Sequence, residues 1–407
     1  MMRQVEIMKL LALVTIFITF SVYPIFAQKQ PLRISTFLAF HSKQFLGSED
    51  SLRSSKKGVS KFNIEYDKIN LASQLALNYD GYNNFTLDGS YLQYTKGIAT
   101  FGVGKVNHHW SFSDNTSLIL SNNARPSESI YLRLSNRFRY NWLNPKANWS
   151  FEVFNGHTNG SLNGSRSMLL GMRAILSPVE GLDFELVKTS QWGGKGHSTG
   201  LSALGAALIM DTNVSSNSNI NKMAGFGFSY LVPTYIMPLR IYGQAIGEDE
   251  AGSLPSCYAY LAGLKWTNTK IKYPTIINIE AIDTRVDVTE NGWCGPNTMY
   301  NNSTYDYTNY GKTMGAAIDS EGTSVGIYLR SQISQKINVE FTTKSVVINN
   351  NNWLGHRLSS NLQSGFINSL GVSWVENNIS FEGKIYNQTF DLDKANIKSG
   401  YGIGFSS

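Results

Sequence analysis

Six histidines, two cysteines and a run of three adjacent carboxylates, Glu248, Asp249 and Glu250, are the residues of this chain with the widest chemical range. Metal binding or nucleophilic catalysis needs such residues in a constellation. His108 and His109 are neighbours, and on a strand neighbouring side chains point to opposite faces, so this pair cannot chelate one metal. His41, His157, His197 and His356 are scattered among loop-like segments. No H-E-x-x-H, C-x-x-C or G-x-S-x-G pattern places ligands or a nucleophile. His109 with Ser111 or Ser121 could mimic a Ser-His hydrolase, but such pairs recur by chance in a serine-rich chain. Glu248 and Glu250 sit in one short stretch, whereas a glycosidase needs two carboxylates on opposite sides of the sugar bond. Between Gly247 and Gly252 the three acids read as a wet turn. The residues therefore predict no catalytic set, no metal ligands and no cofactor.

The elements that must position these residues follow a period of two. In the segment from Ile130 to Trp142, Ile130, Leu132, Leu134, Phe138, Tyr140 and Trp142 share one face. Tyr131, Arg133, Ser135, Arg137, Arg139 and Asn141 share the other, so the register separates apolar from charged side chains. The same alternation runs through Trp149–Val153, Leu182–Val187, Val325–Arg330, Ile337–Thr342 and Ile379–Tyr386. Clusters of Asn, Gly, Ser and Asp separate the segments, which is turn chemistry. A soluble sandwich would turn one face into a dry core, and a barrel would turn it to lipid. Several strands carry formal charge on the second face, which a dry core tolerates poorly. Membrane strands need ~9–11 residues each, so the chain has room for roughly 16 to 18. The expected class is all-β, a transmembrane antiparallel barrel with both ends of the chain periplasmic.

The ends and the composition agree. Arg3 and Lys9 precede an apolar stretch from Leu10 to Phe20, and Ile25-Phe26-Ala27 offers a small residue for cleavage before Gln28. That core is shorter than the ~20 residues a spanning helix needs, so residues 1–27 read as an export signal. Pro233, Pro238 and Arg240 interrupt the best later rival, Tyr230 to Gly247, and proline breaks a helix. With 12% aromatics, 36 glycines and only 16% charged residues, the composition suits a lipid-facing wall with aromatic girdles. A net charge of +6 without a clustered basic tract argues against a nucleic-acid partner. Cys257 and Cys294 can pair in an oxidising compartment, and sequence alone supplies no distance between them. Two long irregular stretches read as extracellular loops. Gly193 to Lys222 carries Leu201, Leu204 and Leu208 at helical spacing, either a short helix folded inward as a plug or a packed turn. Asp287 to Thr313 is polar and rich in tyrosine.

The stretch YGQAIGEDEAGSLPSCYAYLAGLKW, Tyr242 to Trp266, closely resembles a signature block of the Wzi family, outer-membrane lectins that organise capsular polysaccharide. Three further blocks are similar to that family in order. They are Ser117–Pro126 (SLILSNNARP, with Ser121, Asn122 and Asn123), Leu186–Leu208 with Gln191-Trp192-Gly193-Gly194, and Tyr310-Gly311-Lys312 followed by Met314-Gly315 and Asp319-Ser320. They extend over Gly102 to roughly Arg330. The resemblance implies about eighteen strands, an occluded lumen and a location in the bacterial cell outer membrane. Departures accompany it. His108-His109-Trp110-Ser111 lacks the family's glycine, and Ser406 and Ser407 follow the last aromatic. The family's periplasmic helical bundle would have only residues 28–61 to occupy, and it reads as reduced or absent, leaving 62–407 for the barrel.

The implied function is non-enzymatic: binding and retention of capsular or exopolysaccharide at the cell surface, by a monomer seated in outer-membrane lipid by the barrel-assembly machinery. A porin-like channel shares the fold but needs an open lumen, and an outer-membrane hydrolase is a third class. Two groups are candidate glycan contacts. Arg133, Arg137 and Arg139 could receive the carboxylates of an acidic polymer. They could equally pair with Asp183, Glu185 or Glu340 and hold the barrel together, which is the preferred reading because barrel interiors need internal charge pairing. Tyr300, Tyr305, Tyr307 and Tyr310, taken as exposed, could stack on sugar rings, or equally join the interfacial girdle or pack within their own loop.

Overall fold

The computed structural model describes residues 32–407 except 48–57, 80–84, 138–146, 161–165, 210–219, 234–236, 252–253, 291, 293, 303 and 378. Its wall opens with β1 (Leu32–His41), β2 (Gly58–Lys68), β3 (Leu71–Tyr79), β4 (Phe85–Thr86), β5 (Tyr91–Lys96) and β6 (Ala99–Gly104). It continues with β7 (Glu128–Arg137), β8 (Asn148–Thr158), β9 (Ser167–Val179), β10 (Leu182–Trp192), β11 (Asn221–Leu231), β12 (Leu239–Ala251), β13 (Leu254–Asn268) and β14 (Thr275–Asp283). After a small hairpin, β15 (Thr308–Asn309) and β16 (Lys312–Thr313), it ends with β17 (Thr323–Gln332), β18 (Ile337–Ile348), β19 (Gln363–Glu376), β20 (Ile379–Gln388) and β21 (Gly400–Ser406). The one helix named among these elements is α1 (Leu201–Ile209).

Nineteen of these strands form one sheet, and β4 and β5 are two pieces of a single course along β3, so the wall has eighteen strands. Each strand pairs antiparallel with the next. The sheet closes where β1 meets β21 through Ala39↔Ser406, Phe40↔Phe405 and His41↔Gly404. Closure leaves no open edge, the condition under which strands can cross a membrane. No described helix is long and apolar enough to do so.

The faces separate as the alternation predicts. Ile130 is exposed on the outside while Ser129 and Tyr131 are buried inside. Leu186, Phe226, Tyr260, Ile279, Val325, Leu370 and Ile385 continue the exposed apolar band around the barrel. In water such a surface would be an aggregation hazard, and in a bilayer it is the lipid face. Close interstrand packing on the inner face needs glycine at particular positions. A Cβ on Gly102 would stand 2.1 Å from the Tyr131 ring, and one on Gly263 equally close to Tyr242.

Connections at one end are short, at 69–70, 97–98, 180–181 and 333–336, and β1 starts and β21 ends there. At the other end they are long, notably 105–127, 193–220, 284–322, 349–362 and 389–399. Short periplasmic turns and long extracellular loops orient the barrel.

Two sequence boundaries change. The wall begins at Leu32, within the 28–61 segment that the sequence reading set apart from the barrel, because β1 pairs with both β2 and β21. The 130–142 segment is described as a strand through Arg137, starting at Glu128; Arg139 lies outside the described residues, as does the 1–27 signal.

Candidate functional site

The extracellular half of the lumen is filled by two of the long loops. Segment 105–127 turns back into the barrel and buries Trp110, Leu118, Ile119 and Leu120; segment 284–322 lies against it and buries Met299, Tyr300, Tyr307 and Met314. A loop that enters an interior must satisfy its own backbone. The wall supplies part of this. Gln244 on β12 accepts from Leu118 N (2.9 Å) and donates to the Trp110 carbonyl (2.7 Å) and to Glu185 (3.0 Å). Ser121 donates to the Gly315 carbonyl at 2.5 Å, and the Asn123 amide to the Thr313 carbonyl at 2.9 Å. The SLILSNN block is therefore the heart of a plug. Asn122 lines a small cavity beneath it with Asn115, Tyr328 and Lys344.

Three of the four tyrosines taken as exposed are core residues. Tyr300, Tyr305 and Tyr307 are buried. Tyr300 donates to the Leu118 carbonyl (2.6 Å), Tyr305 to the Gly193 carbonyl (2.9 Å) and Tyr307 to the Ile119 carbonyl (2.9 Å). The rings of Tyr300 and Tyr307 stack at 5.8 Å. Burial pushes the Tyr305 phenol up to about 12 and raises Tyr300 and Tyr307 as well, so all three stay neutral donors. The premise of solvent-facing sugar platforms fails for them because the loop folds inward, where a phenol is worth more as a donor to a buried carbonyl. Glu248 of the acidic run is also buried, accepting from Tyr300 N at 3.0 Å; the side chains of Asp249 and Glu250 lie outside the described residues.

Two further devices hold the plug. Arg357, from loop 349–362, donates through Nε to Asp319 (2.7 Å), through Nη2 to the same carboxylate, and through Nη1 to the Tyr300 carbonyl (3.1 Å). Burial alone would raise Asp319, and the guanidinium outweighs it and holds the carboxyl below its ordinary range. Cys257 on β13 is disulfide-bonded to Cys294 in the plug loop, settling the pairing that sequence left open.

Tyr310 is the tyrosine that remains at the surface, 39% exposed. The guanidinium of Arg125 lies over its ring at 4.0 Å and makes two hydrogen bonds to Asp88, at 2.6 and 3.0 Å. The β15–β16 hairpin is pinned beside it: Tyr310 N donates to the Asn159 carbonyl (3.0 Å), and the Asn309 amide to the Arg125 carbonyl (2.8 Å). Gly89 N donates to the Lys105 carbonyl, bringing in Lys105–Glu128 (3.0 Å) and Glu128–Arg166 (3.2 Å). The result is an aromatic face backed by a cation and rimmed by charges at the extracellular mouth. Sequence reading missed Arg125 and Asp88. Arg125 stands within SLILSNNARP, but nothing local marks Asp88 as its partner.

The arginine stripe divides. Arg133 faces inward and donates to Glu152 (3.3 Å), while Arg137 is exposed at the periplasmic end near Asn148, Ser177 and Asp183. Internal charge pairing holds in kind, with other partners than expected. Glu185 pairs with Arg173 at 2.7 Å, Glu340 with Arg330 at 2.6 Å, and Asp183 accepts from Ser177 at 2.6 Å.

His108 and His109 lie in the plug loop instead of on a strand. His109 bonds the Ser113 carbonyl at 2.7 Å, and Ser121 bonds Gly315, so the imagined His109–Ser121 couple does not form. His108 contacts Glu152 (2.7 Å) and Ser129 (3.4 Å), in the order of a hydrolase triad. A nucleophile must reach its substrate, whereas Ser129 is 5% exposed and His108 8%. His108 also stacks on Phe154 at 3.9 Å, so this is packing around a buried imidazole. No cluster of three or more potential metal ligands occurs among the described residues.

Comparison with known proteins follows the same lines. A solved structure from Escherichia coli, described as Wzi, an outer membrane protein involved in group 1 capsule assembly and a carbohydrate-binding β-barrel, superposes with a TM-score of 0.75. It is 21% identical and the match covers 93% of this chain and 84% of that one. An uncharacterized 55.8 kDa protein in the cps region of Klebsiella pneumoniae is 26% identical over 210 residues. That match takes in 51% of this chain and spans 42% of the relative's length. The family model described as capsule assembly protein Wzi matches residues 36–392. With its closed eighteen-strand wall, plugged mouth and match over most of its length, the chain belongs to the capsule assembly protein Wzi family and is an outer-membrane β-barrel.

Proposed function

We propose that this protein retains an exported capsular or surface polysaccharide at the cell surface as a non-enzymatic lectin, contacting the polymer at its extracellular face. The single observation that carries the reading is the Tyr310–Arg125–Asp88 stack, an ordered, solvent-facing aromatic ring on the outer side of a plugged barrel. Sugar rings stack on such faces because a tyrosine offers apolar area and a polar edge at small entropic cost. The carbohydrate binding described for the Escherichia coli relative supports the same ligand class here. A porin-like role is the weaker reading, since the lumen is filled by loops 105–127 and 284–322. The closed wall needs no partner chain, and we take the working form as a monomer that the barrel-assembly machinery seats in outer-membrane lipid.

Replacement of Tyr310 by alanine tests the proposal. The variant should keep its heat-modifiable migration on gels, because the ring lies outside the core, yet release polysaccharide into the medium. Planar-bilayer recordings of the unaltered protein should show little current. If Tyr310→Ala retains capsule while Arg137→Ala, equally well folded, loses it, the contact is at the periplasmic end and the surface assignment is wrong.

A further inference from the structure

The α1 helix lies on the membrane side of the wall, and the geometry points to its being seated in the outer leaflet, with its outward side in contact with lipid acyl chains. The sequence reading allowed for a helix folded into the lumen. The register excludes this. On β10 the exposed, lipid-facing residues are Phe184 and Leu186, so Lys188, Ser190 and Trp192 continue the same outward face. Ser190 Oγ donates to the Ala207 carbonyl at 2.9 Å and Lys188 Nζ to the Leu208 carbonyl at 3.4 Å. The last turn of α1 is thus capped by the outer wall, where a cation and a donor meet carbonyls that the helix itself leaves unsatisfied. Ala203, Leu204, Ala207 and Leu208 pack on Leu170 and Trp192, which are buried although they belong to the outward face.

The helix reads LSALGAALI, with no charged residue. Apart from the exposed Ser202 it is apolar, and such a helix belongs either inside a protein or in a membrane. One side of α1 is against the wall. At the edge of that contact, Leu201 is 87% exposed, and a Cβ added at Gly205 would meet nothing within 4 Å. The occupant follows from continuity: the exposed band of Phe184, Leu186, Phe226 and Phe228 runs directly below the helix on the same side of the barrel. Lipid that covers this band also reaches α1. In that position the helix screens Lys188 and Ser190, two polar residues of the outer face that would otherwise meet acyl chains unpaired.

Spin labels decide the matter. The chain's only two cysteines are joined to each other, so a new thiol at Leu201→Cys takes a nitroxide selectively. Gly205→Cys is a second site on the same side, and Leu186→Cys and Lys195→Cys serve as references for the band and for an exposed loop. Each variant is placed in vesicles of phosphatidylethanolamine and phosphatidylglycerol and checked for heat-modifiable migration. Collision with oxygen should exceed collision with a nickel chelate at 201 and 205, as at 186, and the contrast should reverse at 195. Labels at 201 and 205 that match 195 overturn the proposal, since the helix would then stand in water. Spin–spin broadening at 201 that disappears on dilution with unlabelled protein also overturns it, because a second copy would then cover the helix.

Discussion

Tyr300 donates its phenolic proton to the carbonyl of Leu118, 182 residues earlier in the chain, at 2.6 Å. The phenolic oxygen of Tyr300 in turn accepts from Ala316 N at 3.1 Å. One hydroxyl therefore joins the two loops that fill the lumen and pins the second to itself. Neither backbone group has water to fall back on at this depth.

Removal of that hydroxyl should open the barrel more readily than it unfolds it. Tyr300→Phe keeps the ring and its stack on Tyr307, and orphans two buried backbone groups at about 1–3 kcal/mol each. The wall ladders are untouched. Intermittent current steps in a planar bilayer, absent from the unaltered protein, are the expected outcome, with normal gel migration. A silent trace at the same stability would show that the packing of Leu118 and Ile119 seals the mouth alone.

The plug should also loosen on reduction. The Cys257–Cys294 bond closes a stretch with a separation of 37 residues, which by chain entropy is worth about 3–4 kcal/mol. Cys294→Ser, or a reductant able to reach the bond, should leave β13 paired with its neighbours while exposing loop 284–322 to protease. Limited proteolysis with mass spectrometry reads this directly, and equal protection with and without the bond would contradict it.

Asp319 and Arg357 make a prediction in pH. The folded carboxyl lies below its ordinary range because the attraction of Arg357 exceeds the cost of burial. A group depressed on folding contributes stability that is complete above its unfolded value, near 3.9, and disappears as pH falls through the folded value. Asp319→Asn leaves the half-buried guanidinium of Arg357 without its nearest counter-charge, a loss of about 1–3 kcal/mol. The gap in unfolding midpoint between the two proteins should be constant through neutral pH and close only in acid below about pH 4. A gap that already closes near neutrality would mean that another group controls the plug.

Salt separates stacking from charge in glycan retention. Arg125 backs the Tyr310 ring, and an exposed cation–π contact is worth about 0.5–1 kcal/mol, so Arg125→Ala should weaken retention a few-fold where Tyr310→Ala abolishes it. Stacking should change little with ionic strength, whereas exposed charge pairs are screened over ~10 Å at 0.1 M. Isothermal titration with purified capsular polymer at low and high salt measures both, and steep salt dependence would shift the weight from Tyr310 to the Lys105–Glu128–Arg166 rim.

Some of this protein was readable from its residues alone. Ile130, Leu132 and Leu134 against Tyr131, Arg133 and Ser135 is a local pattern, because a strand turns successive side chains to opposite faces whatever surrounds it. Repetition of that pattern, with charge on one face, was enough for a membrane barrel. The four family blocks implied an occluded barrel without showing which segments fill it. Loops have no period. Tyr300 and Tyr310 lie in the same polar stretch with similar neighbours, yet one is buried and the other half exposed. The difference is made by partners far away in the sequence, the Leu118 carbonyl that accepts from Tyr300 and the Arg125 guanidinium that lies over the Tyr310 ring. Leu201, Leu204 and Leu208 left a helix folded inward or a packed turn both open, and the side of the wall was set by the register of β10, where Lys188 and Ser190 face out and cap the helix. Composition and alternation act over two to four residues and so are legible in a sequence; the direction in which a loop folds depends on partners that only closure of the barrel brings within reach.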